Sequence, residues 1–177
     1  SFGDGHTYNS EEPIKIMEDV KDVETSKINS VIAVIKNDNS LWMWGTNPFS
    51  IIPFDLLEGG MGQTTIEIPV KVLDDVAKVS LGYYHAGAIK TDGSLWTWGG
   101  NSHGATGRTG SIWIPGKVMD NVVEINMAHE VSAAITADGS LWNWGDGGAV
   151  LTRNDGGAEP VNITDLFHTS SAQSFQA

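Results

Sequence analysis

The chain has 177 residues, no cysteine and a formal net charge of −12. Absence of cysteine excludes disulfides, thiolate metal ligands and a cysteine nucleophile, and the acidic surface repels a phosphate backbone, which argues against nucleic-acid binding. Hydrophobic residues make up 40% and charged residues 18%, the balance of a globular chain with a sizeable core; no apolar run reaches the length of a membrane-spanning helix.

In chain order, the opening SFGDGHTYNS has no basic stretch followed by an apolar one, so no signal peptide is expected there. Its FGDG lines up with WGDG at 144–147 and reads as the tail of a repeated unit. A first full core then runs from PIKIMEDV at Pro13 to LWMWG at Gly45. A second runs from PVKVLDDV at Pro69 to LWTWG at Gly99, and a third from PGKVMDNV at Pro115 to LWNWG at Gly145. A fourth opens at Pro160 with PVNITDLF. The units are therefore 13–68, 69–114 and 115–159, with partial units at 1–12 and 160–177, all in one domain.

Each core predicts short strands. In AGAIKTDGSLWTWG two strand-like runs flank Asp92-Gly93, a hairpin signal, and Asn39 and Gly139 fill the matching turn position. Alternation in SLWTW puts Leu95 and Thr97 on one face and Trp96 and Trp98 on the other. The tryptophan pair recurs while the residue between varies as Met43, Thr97 and Asn143, so the indoles are expected to pack as core. A period of about 50 residues with three or four strands per unit predicts radially arranged sheets, each too thin to bury both faces alone.

The stretch VSLGYYHAGAIKTDGSLWTWGGNSHGATG (79–107) carries Gly82, His85, Ala88, Asp92, Gly93, Trp98, Gly99, Asn101, Gly104 and Gly107. It resembles the repeat of the regulator-of-chromosome-condensation family, in the style of its bacterial members. The first and third units match less fully, with Val131 at the histidine position of the third and most of the NxxGxxG loop lost from GTNPFS and GDGGAV. The resemblance implies an all-β fold, a β-propeller of four-stranded blades, of which this chain supplies about three and a half to four. It implies protein–protein interaction, since the family includes a nucleotide-exchange factor for a small GTPase and a β-lactamase inhibitor. Open blade edges are expected to promote self-association. A secreted or cell-surface bacterial setting is favoured over a cytoplasmic one.

No constellation for catalysis is seen. The five histidines, His6, His85, His103, His129 and His168, show no HxH or HExxH spacing, and no metal or other cofactor is expected. His85 is expected to bond backbone within its own sheet, and His103 to be exposed. GDGGAVLTRNDGG (145–157) offers Asp146, Asn154 and Asp155, but not at the spacing of a calcium loop. The candidate contact surface lies in the connectors that follow each Trp-Gly. The first is long and apolar, with Phe49, Ile51, Ile52, Phe54, Leu56 and Leu57; it either folds over a sheet edge or meets a partner. The second contributes Asn101, His103 and Trp113. Trp113 is the one tryptophan outside the repeated register, which keeps a carbohydrate-binding module as the alternative.

Overall fold

The structure, a computed structural model, describes residues 3–5, 11–26, 30–47, 50–57, 64–110, 112–146 and 160–162. Three four-stranded antiparallel sheets follow one another along the chain. The first is β1 (Val20–Thr25), β2 (Val31–Lys36), β3 (Leu41–Thr46) and β4 (Thr65–Leu73). The second is β5 (Val76–Leu81), β6 (His85–Lys90), β7 (Leu95–Gly99) and β8 (Gly116–Met119). The third is β9 (Val122–Met127), β10 (Val131–Thr136), β11 (Leu141–Gly145) and β12 (Val161–Asn162). The strands run in sequence order across each sheet, so each sheet is an up-and-down meander, the blade of a propeller. The sequence units are out of phase with these blades: Pro69, which opens the second unit, lies inside β4 of the first blade.

The hairpins form where Asp-Gly and its variants predict them. In the first, Asn39 takes a left-handed φ of 63° and its N–H donates to Lys36 O. Gly93 and Gly139 do the same against Lys90 and Thr136. The preceding aspartate then holds the turn: Asp38 Oδ1 accepts from Ser40 N–H and O–H, and Asp92 Oδ1 from Ser94 N–H and O–H. These bonds stabilise the charged form, and the serine hydroxyl is the largest cause that keeps both carboxyls below their usual range.

The blades join by a second repeated device. Asp19, Asp75 and Asn121 each sit one residue before a first strand with φ near 60° (58°, 62° and 60°), a conformation that Asp and Asn tolerate better than most residues. Their carbonyls accept from Asn37, Thr91 and Ala137, which pins each entry to the β2–β3-type hairpin of the same blade. The next strand then starts by reaching backwards: Val76 N–H donates to Asn39 O and Val122 N–H to Gly93 O, tying each blade to the turn before it. First strands of neighbouring blades meet, β1 with β5 and β5 with β9, as strands nearest a propeller axis should.

Two apolar clusters fill the gaps between blades. One holds Val31, Ala33, Ile35, Leu41 and Met43 of the first blade with Val76, Leu81, Ala86, Ala88 and Trp98 of the second. The other sets Ile89 and Leu95 of the second blade against Val122, Ile125, Met127 and Ala134 of the third, with Trp144. By contrast Val20 and Val23 of β1 are 43% and 57% exposed.

Within each tryptophan pair the two rings differ, which alternation alone does not predict. Trp44, Trp98 and Trp144 are buried. Trp42, Trp96 and Trp142 are half-buried and fold back to the hairpin, where Trp42 and Trp96 Nε1 donate to the Ser40 and Ser94 hydroxyls and Trp142 Nε1 to Thr136. The following glycine has a steric reason: a Cβ at Gly45 would sit 2.1 Å from Ser30 O, and at Gly145 2.1 Å from Glu130 O, with φ of 112° and 98°. Only glycine fits both the close approach and the backbone angle.

Candidate interaction surface

The connectors after Trp-Gly are not loose. In the first, Asn47 folds its amide onto the chain ahead: Ile52 N–H donates to Asn47 Oδ1 and Asn47 Nδ2 donates to Ile52 O. In the second, Thr106 N–H and O–H donate to Asn101 Oδ1, while Asn101 Nδ2 donates to Arg108 O. The asparagine therefore closes the same short loop in both connectors, although the glycines of NxxGxxG are absent from the first. The Asn101 side chain is spent on this closure rather than offered to solvent.

Each closed loop leans on the next blade. Trp98 Nε1 donates to Ile51 O at 2.6 Å, and Trp144 Nε1 to Ala105 O at 3.0 Å, so Ile51 and Ala105 play one role in successive blades. Ala105 O also accepts from the Ser132 hydroxyl, at 2.7 Å. That hydroxyl has spent its proton, so it accepts from His85 Nε2–H at 2.8 Å. His85 thus bonds a side chain of the neighbouring blade, not backbone of its own sheet. In the β6–β7 ladder His85 lies opposite Gly99, the position that Val131 holds opposite Gly145 in the third blade. His85 Nδ1, unprotonated in this tautomer, is buried without a hydrogen-bond partner among the described residues. Burial therefore lowers the pKa of the ring to about 4 and keeps it neutral.

The expected contact residues separate once placed. Ile51 and Ile52 are 0% exposed and belong to the cluster between the first two blades. Leu57 is half-buried against the same cluster. Leu56, at the end of the 3-10 turn Phe54–Leu56, stands exposed. Phe49 and the side chain of Phe54 lie outside the described residues. In the second connector Trp113 is half-buried. His103, in the 3-10 turn Ser102–Gly104, takes a left-handed φ of 55° and turns its ring outward.

Three donors that no short motif links meet beside that turn. His103 Nδ1 lies 3.1 Å from Glu130 Oε2, and Asp146 joins them, with all three donor atoms within 4.8 Å of one another. His129 Nδ1 is 3.9 Å from the same Glu130 oxygen, and its ring packs on Tyr83 and Tyr84. Asn154 and Asp155 lie outside the described residues. Chain spacing could not reveal this cluster, because its members come from a connector, a strand turn and a strand end.

The Regulator of chromosome condensation (RCC1) repeat matches residues 76–105, the first three strands of the second blade and the start of its connector. A search of curated proteins found no match. Among solved structures, Prp20p from Saccharomyces cerevisiae superposes with a TM-score of 0.70 at 19% identity, over 82% of this chain and 38% of that one. Yeast RCC1 (Prp20) bound to Kap60 gives 0.63 at 19% identity, over 73% and 32%. Human WBSCR16 gives 0.64 at 17% identity, over 82% and 39%. The chain thus spans less than two fifths of the length of these similar proteins. The likeness shows the fold: this is an all-β segment of a propeller, incomplete as a ring.

Proposed function

We propose that the chain is a non-enzymatic protein-binding module whose contact surface is built from the connectors after each Trp-Gly. One observation carries this reading. The asparagine-closed loops are braced on the next blade, yet they differ in sequence and leave Leu56 and His103 exposed, with Trp113 half-buried in the second connector. A rigid scaffold that varies at its loops is the usual way a repeat fold acquires partners. Similar propellers support the class of function: Prp20p is described with binding properties to Gsp1p and histones.

The test compares the chain with a Leu56→Ser, His103→Ala, Trp113→Ala variant in quantitative capture of proteins from its source cells. A partner lost with the variant, at unchanged melting temperature, supports the reading. Equal capture by both proteins overturns it. A glycan-array signal that disappears in Trp113→Ala alone would instead establish the carbohydrate-binding alternative.

We also propose self-association across β1. Val20 and Val23 are exposed there, whereas β5 and β9 each pack against a preceding blade. Trp44 Nε1 is buried and without a hydrogen-bond partner among the described residues, although Trp98 and Trp144 each reach a connector carbonyl. Sedimentation velocity should show a dimer that Val23→Lys converts to monomer; a monomer at high concentration before substitution refutes the idea.

A further inference from the structure

We propose that His103, Glu130 and Asp146 form a zinc-type divalent-cation site that clamps the second blade's connector to the third blade. Their donor atoms already converge. Zinc bonds of about 2.0–2.2 Å in a tetrahedron put neighbouring donors about 3.4 Å apart. The His103 Nδ1–Glu130 Oε2 pair, at 3.1 Å, stands near that spacing. The widest separation within the trio is at most 4.8 Å, and the exposed side chain of Asp146 can close it by rotation.

The backbone holds the donors in place from both sides. Asp146 N–H donates to Glu130 O at 2.8 Å, just beyond the Val131–Gly145 pair that ends the β10–β11 ladder. Gly145 makes that approach possible, since any Cβ would strike Glu130 O. On the facing blade, the Asn101 closure fixes the loop that presents His103. The Glu130 side chain is only 14% exposed while His103 is 60% exposed, which describes a seat with an open mouth.

Charge points the same way. Two carboxylates converge, and among the described residues Glu130 pairs only with His103 and His129, while Asp146 makes no ion pair. Among the described residues no lysine or arginine pairs with either carboxylate. A divalent ion would neutralise them, and His129 Nδ1 lies 3.9 Å from the same Glu130 oxygen. Imidazole in the donor set favours a borderline ion such as zinc over calcium or magnesium, which prefer all-oxygen shells.

The test uses untagged chain stripped with EDTA and titrated calorimetrically with zinc chloride at neutral pH. One zinc per chain is expected, with calcium and magnesium giving no comparable heat. His103→Ala and Glu130→Gln should each weaken zinc about tenfold or more, and zinc should reversibly raise the melting temperature of the unsubstituted chain by more than that of either variant. Circular dichroism confirms that each variant folds, and Asp146→Asn provides a milder third case. A His6→Ala, His168→Ala double variant should bind zinc as before. Absence of zinc binding at millimolar concentration overturns the site, as does tight binding that survives both His103→Ala and Glu130→Gln. No partner protein enters these measurements, so their outcome is separate from that of the binding reading.

Discussion

Acid should weaken this fold through His85. Its ring is buried between two blades, donates through Nε2 to Ser132, and has no acceptor at Nδ1 among the described residues. Protonation would place a charge where nothing receives it, so the pKa falls from 6.5 to about 4. Above pH 6.5 the ring is neutral in folded and unfolded chain alike, and pH has no effect through it. Below that value the unfolded chain takes up a proton that the folded chain refuses, so stability declines until the pH nears 4. A shift of this size is worth about 3 kcal/mol at about 1.4 kcal/mol per unit. Asp38, Asp92 and Asp138 also have lowered values, but their contribution is lost mainly as pH falls below the ordinary 3.8, beneath this window. Urea unfolding followed by tryptophan fluorescence measures the effect. Between about pH 7.5 and about pH 4.5 the chain should lose about 2 to 3 kcal/mol more than a His85→Gln variant, which retains an N–H donor but cannot titrate. Parallel stability profiles for the two proteins would refute the reasoning.

Three further outcomes test the packing. Ile52→Ala should cost about 3 kcal/mol, as expected for a fully buried side chain, and the loss would appear as a lower denaturant midpoint. A negligible change would return Ile52 to the candidate contact surface. Gly145→Ala should destabilise strongly, by about 3 kcal/mol or more, because the new Cβ meets a backbone carbonyl; Gly139→Ala, where space is open and only a φ of 85° opposes, should cost about 1 kcal/mol. Equal melting temperatures for these two variants would contradict the close-approach argument. Ser94→Ala should cost about 1 kcal/mol, since Trp96 Nε1 loses its acceptor and Asp92 a donor; thermal unfolding that matches the unsubstituted chain would show the turn network to be without net effect.

Much of the fold is local and so could be read along the chain. The Asp-Gly turns, the alternation in LWxWG and the spacing of the repeats specify hairpins, because each depends on residues within a few positions of one another. The repetition implies stacking, because one thin sheet cannot bury two faces. Asn101 and Asn47 show where local reading stops. The first was legible within an NxxGxxG loop, whereas the second keeps the same loop closure without the glycines, and only its bonds to Ile52 reveal it.

What tertiary structure decided lies between blades. Along the chain Ile51 and Ile52 allow both a packing role and a contact role, and their burial in the cluster with Trp98, 47 residues from Ile51, is a fact of the tertiary structure. His85 found its partner 47 residues away in Ser132. His103, Glu130 and Asp146 come together only because a connector from one blade lies across the strand turn and strand end of the next. Sequence by itself determines the strands and turns, whose energetics are set by nearest neighbours in the chain. The chemistry of the surface depends on which repeats are stacked and how far each connector reaches, and those are properties of the assembled propeller.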